Sequence, residues 1–175
     1  MPQPLSLDAV SVKVFRHYLT REYPNEVRAC LAALSEEEIW RRPNPAANSV
    51  GHLVQHLLGA TRHLVLDGIG EEPFARDREA EFAGRELLSK IELLRRLDEV
   101  VASVGRILDA ATGESLVAIS DRTEFKVSHF QLLAGATTHF GYHTGQIVYA
   151  TKTIQPGVFA SGDLFRRAAK SDFHP

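Results

Sequence analysis

Cysteine is almost missing from this sequence, since Cys30 is the only one among 175 residues. A lone cysteine excludes an internal disulfide framework and a cysteine-rich zinc site, so nitrogen and oxygen ligands would have to hold any bound metal. Because Cys30 lies in an apolar-patterned segment, we interpret it as a small buried residue rather than a reactive thiol.

An excess of one charge and a long apolar run are also missing. Twenty basic and 22 acidic residues give a formal net charge of −2, so nucleic acid is not an expected partner. No apolar run approaches the roughly 18 residues of a membrane span, and the first residues do not resemble a secretory signal. We therefore expect a cytoplasmic protein that has no membrane partner.

The composition that remains is that of an ordinary globular protein, with 44% hydrophobic and 24% charged residues. This length predicts a single domain over residues 1–175, with a core at about residues 7–153. Apolar residues recur every three or four positions over 7–34, 49–67, 87–111 and 127–152, which predicts four long helices. The fold class is therefore all-α, and the expected architecture is a four-helix bundle.

Several local features refine this prediction. Pro24 predicts a kink or break in the first helix near Tyr23. The spacing of Ser35 and Glu38 is that of a capping box and predicts a short helical turn. We expect the apolar residues 117–119 to dock on the bundle without forming a strand. A further short helix is predicted at about 164–169.

The connection between the second and third helices, residues 67–86, is long and polar. Such a connection is generally a functional lid or a crossover between elements that run in the same direction. Its charged residues could line a binding site, but we favour the interpretation of a solvated, ion-paired loop. These residues are Glu71, Glu72, Arg76, Arg78 and Glu81.

His139 and His143 lie four residues apart in the predicted fourth helix. Their side chains are offset by only about 40° around the helix axis, so both imidazoles can reach one point. Imidazole is the commonest neutral protein ligand for zinc and similar ions. A single pair at this spacing often occurs by chance, so a metal site requires a third ligand.

The predicted second helix is the richest source of a third ligand. His52, His56 and His63 fall in one narrow sector of it, together with Gly59, which would let a neighbouring group approach closely. His56 is flanked by leucines and is expected to point toward the bundle interior. For His52 and His63, we favour exposed or hydrogen-bonding histidines over ligands.

The segment from Asn48 to Gly59, followed by the segment from His139 to Ile147, resembles the DinB/YfiT-like superfamily. More narrowly, the chain is similar to the DUF1572 branch of this superfamily. In that branch an Asp-Gly turn and an Arg-x-Arg-Asp-x-Glu-Phe-like stretch follow the first histidine helix. The corresponding residues here are Asp67-Gly68 and 76–82.

This resemblance implies a four-helix bundle of DinB/YfiT type, with a long crossover between helices 2 and 3. It also implies a three-histidine site formed by His56, His139 and His143 for a divalent metal ion, either Zn, Ni, Mn or Fe. Homodimers are common in such families, so a homodimer is expected. Gln146 could hydrogen-bond to one of the metal-ligating histidines and so orient it, but a packing role fits it equally well.

Two classes of function are compatible with such a site. The first is a metal-dependent enzyme, because relatives in the superfamily include thiol-dependent transferases and proteins described as hydrolases. Its substrate would be a small molecule, such as a low-molecular-weight thiol, and the catalytic residues are unknown. The alternative is a dimeric, stress-associated binding or scaffold protein in which a metal is structural or absent. A fourth protein ligand would favour the scaffold, and an open coordination position would favour the enzyme.

Overall fold

The computed structural model describes residues 5–83 and 87–159. This part of the chain is helical and contains no β-strand, only an isolated bridge between Ile119 and Ser128. In chain order it forms α1 (Leu7–Arg16), a π-helical segment (His17–Glu22), α2 (Tyr23–Ala33), α3 (Glu36–Trp40), α4 (Val50–Thr61), a second π-helical segment (Arg62–Asp67), α5 (Arg78–Ala83), α6 (Lys90–Asp109), α7 (Gly113–Val117) and α8 (His129–Ile154).

Four long helical units form the bundle, as the sequence predicts. Helix α2 packs against α6 and α8, and α4 packs against the same two helices. The first and second units therefore occupy opposite corners of the bundle, and α6 and α8 occupy the other two. The connection that carries α5 is the predicted long crossover between the second and third units. None of the described helices is both long and apolar enough to span a membrane.

Serine side chains define where the long helices begin. Ser49, Ser89 and Ser128 each accept a hydrogen bond from the backbone N–H three residues later. Such a cap satisfies one otherwise unpaired helix donor and typically contributes about 1 kcal/mol. The predicted capping box of Ser35 and Glu38 is also present and begins α3.

Pro24 does not end the first helix. The π-helical segment His17–Glu22 comes directly before α2, in which Pro24 lies in the first turn. Proline cannot donate to the carbonyl four residues earlier, and a wider turn ahead of it lets the helix continue without that bond. The predicted position of the irregularity is confirmed, but the irregularity is a π-helical segment and not a break.

One expectation about apolar residues is wrong. Val117 and Ile119 are 70% and 65% exposed, so residues 117–119 do not dock on the bundle. A capping box at Thr112 begins α7, and the helical rotation directs Leu116 into the core and Val117 out of it. The helix predicted at 164–169 lies outside the described residues.

Candidate metal centre

Helix α8 carries the first two histidines of the site. His139 and His143 lie on consecutive turns, with ring centroids 4.4 Å apart. Phe140, Thr144 and Ile147 bury the adjacent face of α8 in the bundle. The packing of that face fixes the rotation of the helix and so places both imidazoles beside α4.

Helix α4 carries the third histidine. The ring of His56 is buried, and its centroid lies 5.0 Å from that of His139 and 4.8 Å from that of His143. One candidate ligand atom from each of the three residues lies within 4.8 Å of the others. The fold therefore brings together the three residues that the family resemblance implied.

The donor set fits a first-row divalent metal ion. The Nε2 atoms of His56 and His139 are 3.2 Å apart. Two nitrogens bound to one tetrahedral zinc at about 2.0–2.1 Å would be separated by about 3.3 Å. Neutral imidazole suits Zn, Ni and Fe in particular, and three such ligands leave a coordination position open on a four-coordinate ion.

The surroundings keep the two α8 histidines uncharged. Burial, followed by the nearby His143, His56 and Arg76, lowers the pKa of His139 to about 4, although Glu81 opposes the change. Burial also lowers the pKa of His143, as does His56, although the hydrogen bond to Gln146 opposes the change. At neutral pH both rings are therefore in the deprotonated form that binds a metal.

A buried carboxylate is hydrogen-bonded to His56 at Nδ1, the ring nitrogen that does not face His139. Glu81 of α5 is only 9% exposed in its side chain, and its Oε2 lies 2.8 Å from His56 Nδ1. Arg76 donates to both oxygens of Glu81, from Nε at 2.8 Å and from Nη2 at 2.9 Å. Burial acts to raise the pKa of Glu81, but the hydrogen bonds from His56 and Arg76 outweigh it and lower the pKa.

The ionised Glu81 determines which nitrogen of His56 is available. An ionised carboxylate only accepts hydrogen bonds, so His56 donates through Nδ1, and in its neutral form the lone pair is on Nε2. That lone pair faces His139. Carboxylate–histidine pairs of this kind orient metal-ligating imidazoles and increase their basicity.

Gly59 makes the approach of Glu81 possible. A Cβ atom at this position would lie 2.0 Å from Glu81 Oε1, so no larger residue fits without displacing the carboxylate. The sequence indicated a close neighbour at Gly59, and the structure identifies it as Glu81.

Gln146 supports His143 in the same way. Its Oε1 lies 2.8 Å from His143 Nδ1, so His143 can donate there and keep Nε2 free. Of the two roles considered for Gln146, the structure favours support of a histidine over packing, because the side chain is exposed.

The two secondary candidates do not join the cluster. His52 is buried and hydrogen-bonded to Ser49 and Arg42. His63 Nε2 is hydrogen-bonded to Glu124 Oε2 at 3.0 Å. Both are therefore hydrogen-bonding histidines, as the sequence favoured.

The interpretation of residues 67–86 as a solvated loop is wrong for two of its residues. Glu71, Glu72 and Arg78 are exposed, but Arg76 and Glu81 reach into the histidine site. No periodicity links residue 81 to residue 56, which is 25 positions earlier. The sequence shows Arg76 and Glu81 only as two opposite charges that follow a histidine-rich helix. Nothing in the sequence distinguishes them from the exposed charged residues of the same segment.

The sequence matches the family described as "Protein of unknown function (DUF1572)" over residues 11–164. The chain belongs to the DUF1572 family. The match spans α4, the crossover and α8, and therefore every residue of the candidate metal centre. No curated protein matches this DUF1572 member.

Solved structures support a DinB-type fold for this DUF1572 member. A DinB-like protein from Bacillus cereus ATCC 10987 is similar with a TM-score of 0.63 and 17% identity, over 79% of this chain and 90% of that one. A conserved protein from Enterococcus faecalis has a TM-score of 0.63 and 18% identity, over 86% and 98%. The DinB-like protein YjoA from Bacillus subtilis has a TM-score of 0.60 and 20% identity, over 81% and 92%.

Proposed function

We propose that His56, His139 and His143 hold a divalent metal ion, and that the protein is a metal-dependent enzyme of the thiol-transferase or hydrolase type. The observation that carries this proposal is the meeting of three imidazoles whose ligand atoms lie within 4.8 Å of one another. When bound, such an ion lowers the pKa of a coordinated water or activates a thiolate.

The protein residues would prepare the site for that ion. Glu81 and Gln146 occupy the Nδ1 atoms of His56 and His143, which leaves both Nε2 atoms for the metal. Arg76 neutralises Glu81, so the carboxylate supports His56 without adding a net charge. We also propose a small-molecule substrate and a homodimeric protein, as the resemblance implies.

Metal content tests the first half of this proposal. Untagged protein is analysed by plasma mass spectrometry, because a histidine tag would itself bind metal. Wild type should carry close to one ion per chain, and His56→Ala and His143→Ala should each carry almost none. His63→Ala is the matched control and should match wild type. Little metal in wild type, even after exposure to divalent ions, would show that the histidines are not a metal site.

An open coordination position on the bound metal would distinguish an enzyme from a scaffold. Cobalt(II) is substituted into the protein, and a small thiol or azide is added while the visible spectrum is recorded. A spectral change shows an exchangeable coordination position, which an enzyme needs. An unchanged spectrum in a stoichiometric cobalt protein would favour the scaffold interpretation. Thiol-transfer and ester-hydrolysis screens then follow on the zinc, nickel, manganese and iron forms.

A further inference from the structure

A groove of about 1020 Å³ lies between α8 and the segment that joins α3 to α4. Leu53 of α4 and Gln146 of α8 line it. Leu53 is three residues before His56, and Gln146 is hydrogen-bonded to His143. The groove therefore contacts neighbours of two of the histidines, although no histidine of the cluster lines it. Its volume is just above the roughly 300–1,000 Å³ of small-molecule sites.

The charges that line this groove are all positive. Arg41 and Arg42 line it, and no carboxylate belongs to the described residues around it, although the whole chain has a net charge of −2. Arg42 uses Nη2 to donate to His52 Nε2 and to the carbonyl oxygen of Phe82, which fixes the guanidinium and leaves Nε and Nη1 available. The Arg41 side chain has no hydrogen-bond partner within the described ranges, and its charge interacts with Glu38, a carboxylate that does not line the groove.

A second cleft differs from this groove because charges of both signs line it. This cleft, of about 490 Å³, is lined by Gly59, Arg95, Arg96 and Glu99 among others. Arg95 pairs with Glu92 and Glu99, and Arg96 pairs with Glu92. Arg62 also lines the second cleft and lies over the ring of Phe74, without an ion pair to any described residue. The carboxylates of Asp77, Glu81 and Glu99 line that cleft as well. No carboxylate of the described chain lines the first groove, so its positive charge is not balanced from within the lining.

The same groove presents flat apolar surfaces. Tyr142 and Tyr149 lie seven residues apart on α8, which places them on one face about two turns apart. They are 64% and 76% exposed, and both line the groove. Gly145 lies between them, and a Cβ atom there would meet open space. Aromatic rings that stand free beside a pocket suit the face or edge of another ring.

We infer that this groove binds a small organic anion that carries an aromatic ring. Arg41 and Arg42 would bind its acidic group, and Tyr142 and Tyr149 would contact its ring. The inference rests on the proposed function only in taking this molecule as the substrate class. Binding itself requires no metal, so the two proposals can fail separately.

A pair of fluorescent probes tests the inference on protein freed of metal with EDTA. The anionic probe is 8-anilinonaphthalene-1-sulfonate, and the neutral probe, N-phenyl-1-naphthylamine, has the same rings without the sulfonate. Arg41→Gln should raise the Kd of the anionic probe about tenfold, the effect of one lost charge-assisted contact, and leave that of the neutral probe unchanged. Tyr149→Ala should weaken both probes, because it removes a ring contact.

Matched controls make the result specific to the groove. Arg95→Gln removes an arginine from the second cleft and should change neither Kd, and Arg41→Lys should retain most of the anionic binding. Equal weakening in Arg41→Gln and Arg95→Gln would overturn the inference, as would equal weakening of both probes by Arg41→Gln. Light scattering is run in parallel. No probe binding, together with a dimer that dissociates in Tyr149→Ala, would show that the face joins two copies of the chain and would also overturn it.

Discussion

His52 and His56 lie one turn apart on α4, and both are buried, yet their imidazoles have different surroundings. His52 has both ring nitrogens occupied, Nδ1 by Ser49 and Nε2 by Arg42. His56 has a supporting carboxylate on Nδ1 only, and its Nε2 faces His139. Burial and helix position therefore do not distinguish a candidate ligand from a structural histidine. The partner of Nε2 distinguishes them, because it decides whether a lone pair on that nitrogen is left for a metal.

A glycine accompanies each of these histidines. Gly51 lets Trp40 pack closely, since a Cβ there would lie 2.6 Å from the indole ring, and that ring contacts His52 edge-on. Gly59 lets Glu81 approach His56. A rigid ring therefore closes one pocket, and a flexible carboxylate completes the other. This difference predicts different consequences for the same change at the two glycines.

The largest expected difference between the two pockets is in metal content. His52→Ala should keep close to one ion per chain, because His52 gives no nitrogen to the cluster, and His56→Ala should lose nearly all of it. Plasma mass spectrometry on both untagged variants measures this. Equal loss in the two variants would contradict the separation of the pockets.

Gly59→Ala should weaken metal binding about 10- to 100-fold, the usual cost of losing the partner of a metal-ligating histidine. The added methyl group displaces Glu81, whose flexible side chain can move away without disrupting the bundle. Competition with a chelating dye measures the affinity. Glu81→Gln removes the same support without the steric change and should have an effect in the same direction. Unchanged affinity in both variants would show that Glu81 does not support His56.

Gly51→Ala should instead lower stability by about 1–3 kcal/mol, the usual cost of overpacking a core. Trp40 is a rigid ring held by a hydrogen bond from Nε1 to the carbonyl oxygen of Leu88, so it cannot move away as easily as Glu81. Urea unfolding measures the change, and the metal content should remain that of wild type. Loss of metal without loss of stability would contradict this assignment.

The smallest expected effect is a pH dependence from His52. Burial, followed by the charge of Arg42, lowers its pKa below the ordinary 6.5. Below about pH 6.5 the unfolded chain therefore binds a proton that the folded chain does not, so stability falls as the pH falls. Urea unfolding of metal-free protein at pH 7.5 and 5.5 should show a smaller fall in His52→Gln than in wild type. His139 and His143 contribute equally to both proteins, and equal falls would show that His52 is not buried uncharged.

Much of the fold could be predicted because helix signals are local. Apolar spacing located four long helices to within a few residues, and the spacing of Ser35 and Glu38 predicted the cap of the short helix α3. Ile91 shows the limit, since it fits the periodicity of α6 but is exposed, and the buried face begins at Leu93 instead. Periodicity gives the angle of a residue around its helix but not the height at which a neighbouring helix covers it.

That His139 and His143 point the same way follows from the sequence, because residues four apart on an α-helix are offset by only about 40° around its axis. The all-α fold follows from it as well, and two motifs in the right order indicate the family and, through it, His56 as the third histidine. Only the packed structure shows that Glu81 and Arg76 reach His56, and that Arg42 is hydrogen-bonded to His52. These contacts join elements that the chain separates by a bend or a crossover, so their geometry depends on how whole helices pack.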